Sequence, residues 1–273
     1  MRRCLQSDDL HIPLDAIGRE FTKLYWNQTV VYHLRQAASL SKESTAVKVI
    51  RQTAQTYKVH DLADLPAAGR AKIDGRMSKL LPVNVLSAFH ASRPPGMPLL
   101  YQWDAGQNHV VITSKTQFFL KSQAAALELV ANFYWAEFLE GCNRLAPRIV
   151  QKVSRDGASR KSMQRYLKIL REESVPQCFY CEVPLDQHIA ATVDHVIPWS
   201  FLLEDDLWDL VLACSKCNSA KSDWLPDRAF IEKLLFRNRE LSRAGISLAI
   251  GEPEIQRLYE AAISVEWPRS WSP

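Results

Sequence analysis

The residues of this chain best suited to chemistry lie between positions 178 and 222. Four cysteines stand there in two Cys-x-x-Cys pairs, Cys178 with Cys181 and Cys214 with Cys217, separated by 32 residues. Two such pairs can gather four thiolates into a tetrahedron. That closed sulfur shell suits Zn2+ and leaves no position for water, so a metal held there is structural. The long span between the pairs leaves room for a functional insert. It contains Thr192-Val193-Asp194-His195-Val196-Ile197-Pro198-Trp199. An adjacent carboxylate and imidazole can divide two jobs. The carboxylate of Asp194 is a hard oxygen ligand for a divalent cation such as Mg2+ or Mn2+. The imidazole of His195 can take a proton from water near neutral pH. Asn218 follows the last cysteine directly, where it can cap a helix and still keep a lone pair for a metal.

On these residues the stretch resembles the HNH endonucleases, the ββα-metal nucleases whose knuckles staple a hairpin to a helix. The Asp194-His195 pair, Pro198, Asn218 after the second knuckle and Lys221 three residues further on all fit that pattern. The resemblance implies that His195 is the general base, that Asp194 and Asn218 hold the catalytic Mg2+ or Mn2+, and that Lys221 contacts phosphate. The family usually has Asn where this chain has Asp209, a residue that braces the loop and orients the base. Asp keeps the acceptor oxygen and loses the amide donor. It could cap the loop or accept from His195. The implied activity is hydrolysis of DNA phosphodiester bonds, with DNA as partner. One such site cleaves one strand, so a double-strand cut calls for a homodimer or two successive nicks. By analogy with the settings in which such domains occur, restriction or phage defence and a defence-complex partner are expected. The alternative is a non-catalytic zinc-knuckle module that binds nucleic acid.

Around this site the sequence predicts an α+β chain. Residues 1–147 read as a helix-rich N-terminal domain, with helices over 14–38, from a start within 41–44 to about Val59, and within 67–80 and 83–90, and a β-hairpin near 99–112. Helices followed by a hairpin could form a winged-helix-like DNA-binding domain, a partner domain or an ordinary α+β fold. The strongest helix lies at 115–142 and carries Phe118, Phe119, Phe133, Tyr134, Trp135 and Phe138. These aromatics do not sit within a cluster of basic residues, so that stripe reads as core rather than as a base-stacking face.

Residues 148–174 form a basic connector, and within 148–171 the cations Arg148, Lys152, Arg155, Arg160, Lys161, Arg165, Lys168 and Arg171 meet one acid, Asp156. Arg160, Lys161, Arg165 and Lys168 are the candidate phosphate contacts, against the plainer reading of a solvated linker. The nuclease module spans 175–226 and C-terminal helices follow over 227–273, with Asp227 as a cap and 268–273 as a loose tail. The chain has 47% hydrophobic and 23% charged residues and a net charge of +4, the composition of a globular protein. No apolar run is long enough for a bilayer, so no membrane partner is expected. The first residues lack the apolar core of a signal peptide, and a cytoplasmic location is expected.

Overall fold

The computed structural model describes residues 2–37, 43–92, 94–103, 106–154, 162–173, 176–186 and 188–273. It separates into two units, one of Met1–Cys142 with Ile149–Gly157 and one of Asn143–Arg148 with Ala158–Pro273. The architecture is α+β, as the sequence predicts. Among the described residues no helix is long and apolar enough to cross a membrane. Arg160 and Lys161 lie outside the described residues.

The first unit contains α1 (Arg2–Gln6), β1 (His11–Pro13), α2 (Leu14–Trp26), α3 (Thr45–Tyr57), α4 (Ala67–Leu81), α5 (Ser87–Ala91), β2 (His109–Val111), α6 (Ser114–Ser122), α7 (Ala124–Cys142) and α8 (Ile149–Ser154). α2 stops short of the expected end. It passes into a π-helical turn over Asn27–Val31, where Thr29, Val30 and Val31 crowd a regular helix with branched side chains. A second π-helical turn begins at Pro82, whose ring cannot continue α4. Trp26, Ile50, Ile73 and Met77 form the helical core. Gly18 lets α2 approach α4, because a Cβ there would lie 2.8 Å from Ser78 Oγ.

One expectation holds in part and another fails. The hairpin near 99–112 is present as an antiparallel bridge in which Gln102 and Val111 exchange backbone hydrogen bonds at 2.7 and 2.9 Å, while the ladder of β2 runs along β1. The register sets Ile12 opposite Val110 and buries both, whereas Leu99 and Leu100 remain exposed. The 115–142 helix breaks at Gln123, and most of its aromatic stripe is not core. α7 buries Ala136 and Leu139 but exposes Phe133, Tyr134 and Phe138. A helix apolar on several sides cannot bury all of them against one neighbour.

The second unit contains α9 (Gln164–Glu173), β3 (Ala191–His195), α10 (Trp199–Leu202), β4 (Leu210–Cys214), α11 (Ser215–Lys221), β5 (Leu225–Pro226), α12 (Arg228–Arg243), α13 (Glu252–Ser264) and β6 (Arg269–Trp271). β3 and β4 are antiparallel, with Ala191 opposite Cys214 and His195 opposite Leu210. α11 leaves β4 without a loop. β4 is buried at every residue, which explains its unbroken apolar sequence. Asn238 of α12 donates to the Trp208 carbonyl at 2.8 Å, and Phe179 of the first knuckle donates its N–H to Leu212 at 2.8 Å. Asp227 precedes α12 without a side-chain cap hydrogen bond.

The chain end is not a loose tail. β6 pairs parallel with β5, and Trp271 is buried edge-on to Tyr180 with ring centroids 5.0 Å apart. Trp271→Ala is expected to destabilise this unit by about 3 kcal/mol, the cost of emptying a buried indole site. Urea denaturation checks this; a loss below about 1 kcal/mol, far under the usual cavity cost, contradicts the packing.

Candidate active site

The knuckles come together through β4 and α11. The Sγ atoms of Cys178, Cys181, Cys214 and Cys217 all lie within 4.8 Å of one another. Cys214 caps α11 and accepts the Cys217 N–H at 3.4 Å. Burial opposes ionisation of Cys178, but backbone N–H donors at Cys181, Cys214 and Tyr180 outweigh it and bring that thiol down to about 7. Burial and neighbouring sulfurs push Cys217 well up. Thiolates at this spacing repel one another, and a divalent cation relieves that repulsion. All-sulfur donors packed this closely fit Zn2+.

β3 ends at the Asp194-His195 pair, where both side chains are nearly buried. Asp194 Oδ2 accepts from Tyr180 Oη at 2.6 Å and lies 3.2 Å from Lys221 Nζ. Burial first, and the Asp194 charge second, raise the Tyr180 hydroxyl well above its ordinary value, so Tyr180 stays a donor. Asp194 Oδ1 accepts no hydrogen bond among the described residues.

Lys221 is placed differently from its expected phosphate contact. Its side chain is 0% exposed, and besides Asp194 it donates to the His195 carbonyl at 2.6 Å. A buried ammonium needs such partners, and both lie on β3. Lys221 is therefore an internal clamp between α11 and β3.

His195 Nε2 lies 3.1 Å from Asp205 Oδ1. Asp205 is itself pinned, because its carbonyl accepts from Tyr166 Oη of α9. His195 Nδ1 has no hydrogen bond among the described residues. Asn218 Nδ2 donates to Thr192 Oγ1 at 3.0 Å and lies 3.4 Å from the Val193 carbonyl, so its amide oxygen is directed away from the strand by the amide's own geometry. Asp209 makes no hydrogen bond with His195. Its Oδ1 accepts from the Ile197 N–H at 2.8 Å and its carbonyl from Val196 at 3.0 Å, which ties down the loop after β3. Burial raises the Asp209 carboxyl well above its ordinary value, against that N–H and the Lys221 charge. Burial also lowers nearby Arg237 to about 10.

Arg165 and Lys168 are exposed on α9. Arg165 donates to Tyr166 Oη at 2.8 Å. Tyr180 and Asp205 are the site residues that spacing alone does not reveal. Tyr180 sits inside the first knuckle, and Asp205 belongs to the acidic run Glu204-Asp205-Asp206.

Residues 178–223 match the sequence model of the HNH endonuclease family. The chain carries an HNH endonuclease domain. The match covers the sulfur cluster, β3, β4 and α11, and the rest of the chain lies outside it. No curated protein matches the chain. An HNH domain points to a nuclease acting on nucleic acid, and its four cysteines can hold zinc.

Two outcomes are expected of this site. Purified protein carries about one zinc per chain by elemental analysis, and Cys214→Ser abolishes it; well-folded, zinc-free protein contradicts the cluster. Lys221→Met costs about 3 kcal/mol of stability because it leaves the Asp194 carboxylate buried without its cation. An unchanged denaturation midpoint contradicts the clamp.

Proposed function

We propose that this protein is a metal-dependent endonuclease that hydrolyses DNA phosphodiester bonds at the Asp194-His195 pair. The observation that carries the reading is how the pair is held. Tyr180 and Lys221 occupy one oxygen of Asp194, and Asp205 occupies one nitrogen of His195. Asp194 Oδ1, His195 Nδ1 and the Asn218 amide oxygen are left for the reaction.

In the proposed reaction His195 takes a proton from water as the water oxygen bonds to phosphorus. The opposite phosphorus–oxygen bond breaks, and the leaving sugar oxygen gains a proton from solvent. Asp205 orients the imidazole and stabilises it once it is protonated. Asp194 and Asn218 would hold Mg2+ or Mn2+, which supplies positive charge at the scissile phosphate. Both offer hard oxygen donors, as that cation requires. Lys221 pairs with the Asp194 carboxylate and holds the His195 backbone. Asp209 performs the loop-bracing job through Oδ1, so its departure from the family's usual Asn leaves that job intact. Arg165 and Lys168, exposed on α9, supply phosphate contacts outside the reacting group, and Arg160 and Lys161 of the same basic segment extend them.

Relaxation of supercoiled plasmid in Mg2+ or Mn2+ tests the reading. His195→Ala is expected to lower the nicking rate at least about 100-fold, the usual contribution of a general base. Undiminished nicking by that variant rejects the assignment. Absence of nicking by the unaltered chain favours the non-catalytic binding module.

A further inference from the structure

The first unit presents an apolar helical face that the nuclease reading does not use. On α7, Leu129, Val130, Phe133, Tyr134 and Phe138 project from the exposed side, and Phe118 does so from α6. Their exposure runs from 45% at Phe138 to 74% at Phe118. The spacing of 129, 130, 133 and 134 puts those side chains on one helix face. α7 is held from behind, where Trp135 donates its indole N–H to Gln28 at 2.9 Å and its ring centroid lies 6.0 Å from that of Tyr25 on α2. The face is thus a fixed surface.

Its size and charge point to a particular occupant. Large side chains present roughly 150–250 Å2 each, so six that are about half to three-quarters exposed offer on the order of 700 Å2. A lone monomer's largest apolar patch is usually about 300–600 Å2. A stable interface takes about 800 Å2 from each partner. α7 carries Glu128, Glu137 and Glu140 and no Lys or Arg, which disfavours a phosphate backbone as the occupant. Glu137 and Glu140 stand toward the C-terminal end of the face. Lys115 stands near the start of α6, one helical turn before Phe118 and Phe119. A two-fold axis that sets α7 antiparallel to its copy brings the acidic end of each chain toward the basic start of the other. The face is then complementary to itself in charge and in apolar character.

We propose that the α6–α7 face is a homodimer interface, formed by two copies of this chain about a two-fold axis. This goes beyond the nuclease reading, since it would supply two HNH domains to one duplex, yet it stands or falls independently of catalysis.

Sedimentation of the full chain from about 0.1 to 50 µM, a range spanning typical transient dimers, reads the equilibrium. The unaltered chain is expected to dimerise. Phe133→Asp with Tyr134→Asp, both at exposed positions, is expected to weaken dimerisation at least about 100-fold with the circular dichroism unchanged. If that variant does not fold, charge reversal decides: Lys115→Glu should weaken the dimer several-fold and Lys115→Glu with Glu140→Lys should restore it. A chain that stays monomeric throughout overturns the proposal and assigns the face to a different occupant. A dimer indifferent to both sets of substitutions overturns it too. Plasmid nicking by the same samples reports separately on the nuclease reading.

Discussion

Lys221 carries its charge into the interior of the second unit, where two oxygens of β3 meet it. One belongs to the Asp194 carboxylate and the other to the His195 backbone. Such an ammonium is tolerated only with close partners, so α11 cannot shift along β3 without leaving a charge uncompensated. The same contact fixes both residues of the pair at once. The sulfur cluster reinforces this from the other end of α11, because Cys214 closes β4 and caps the helix that Lys221 ends. The hairpin and helix are therefore fastened at both ends of α11, by sulfur at the start and by an ion pair at the finish.

The outer layers of the unit serve the same two side chains. Tyr166 of α9 pins Asp205, which in turn meets His195. Trp271 of β6 packs on Tyr180, which donates to Asp194. Asp209 holds the loop after β3 while its carboxyl is driven toward the neutral form by burial. Tyr166 and Trp271 lie outside the matched segment 178–223, so elements beyond it also support the pair. The two donor sets stay chemically distinct, soft sulfur on one side and hard oxygen on the other.

The sequence reveals the cysteines, Asp194, His195 and Asn218 because the motif is local: its residues recur at fixed spacing on one hairpin and one helix. It does not reveal Tyr180 and Asp205, whose roles depend on which side chain folding sets beside them. Lys221 misleads because lysine is ordinarily solvated, and only the folded chain places it beside two acceptors. The helix start within 41–44 is legible because Ser44 caps it, and the start near Asp227 is legible from periodicity although the Asp227 side chain makes no cap bond; the π-helical turn over Asn27–Val31 is not legible. The aromatic stripe of α6 and α7 reads as core from composition. It is exposed because one neighbouring helix cannot cover so wide an apolar surface. Arg269–Trp271 reads as a tail because pairing of β6 with β5 leaves no local signature.

We propose that two metals do separate work in this protein, one framing the domain and one at the Asp194-His195 pair. Anomalous diffraction from crystals grown with Mn2+, collected at the zinc and manganese edges, distinguishes them. A zinc peak is expected among Cys178, Cys181, Cys214 and Cys217 and a distinct manganese peak against the oxygens of Asp194 and Asn218. A manganese peak confined to the sulfur site, or none beside Asp194, would contradict it.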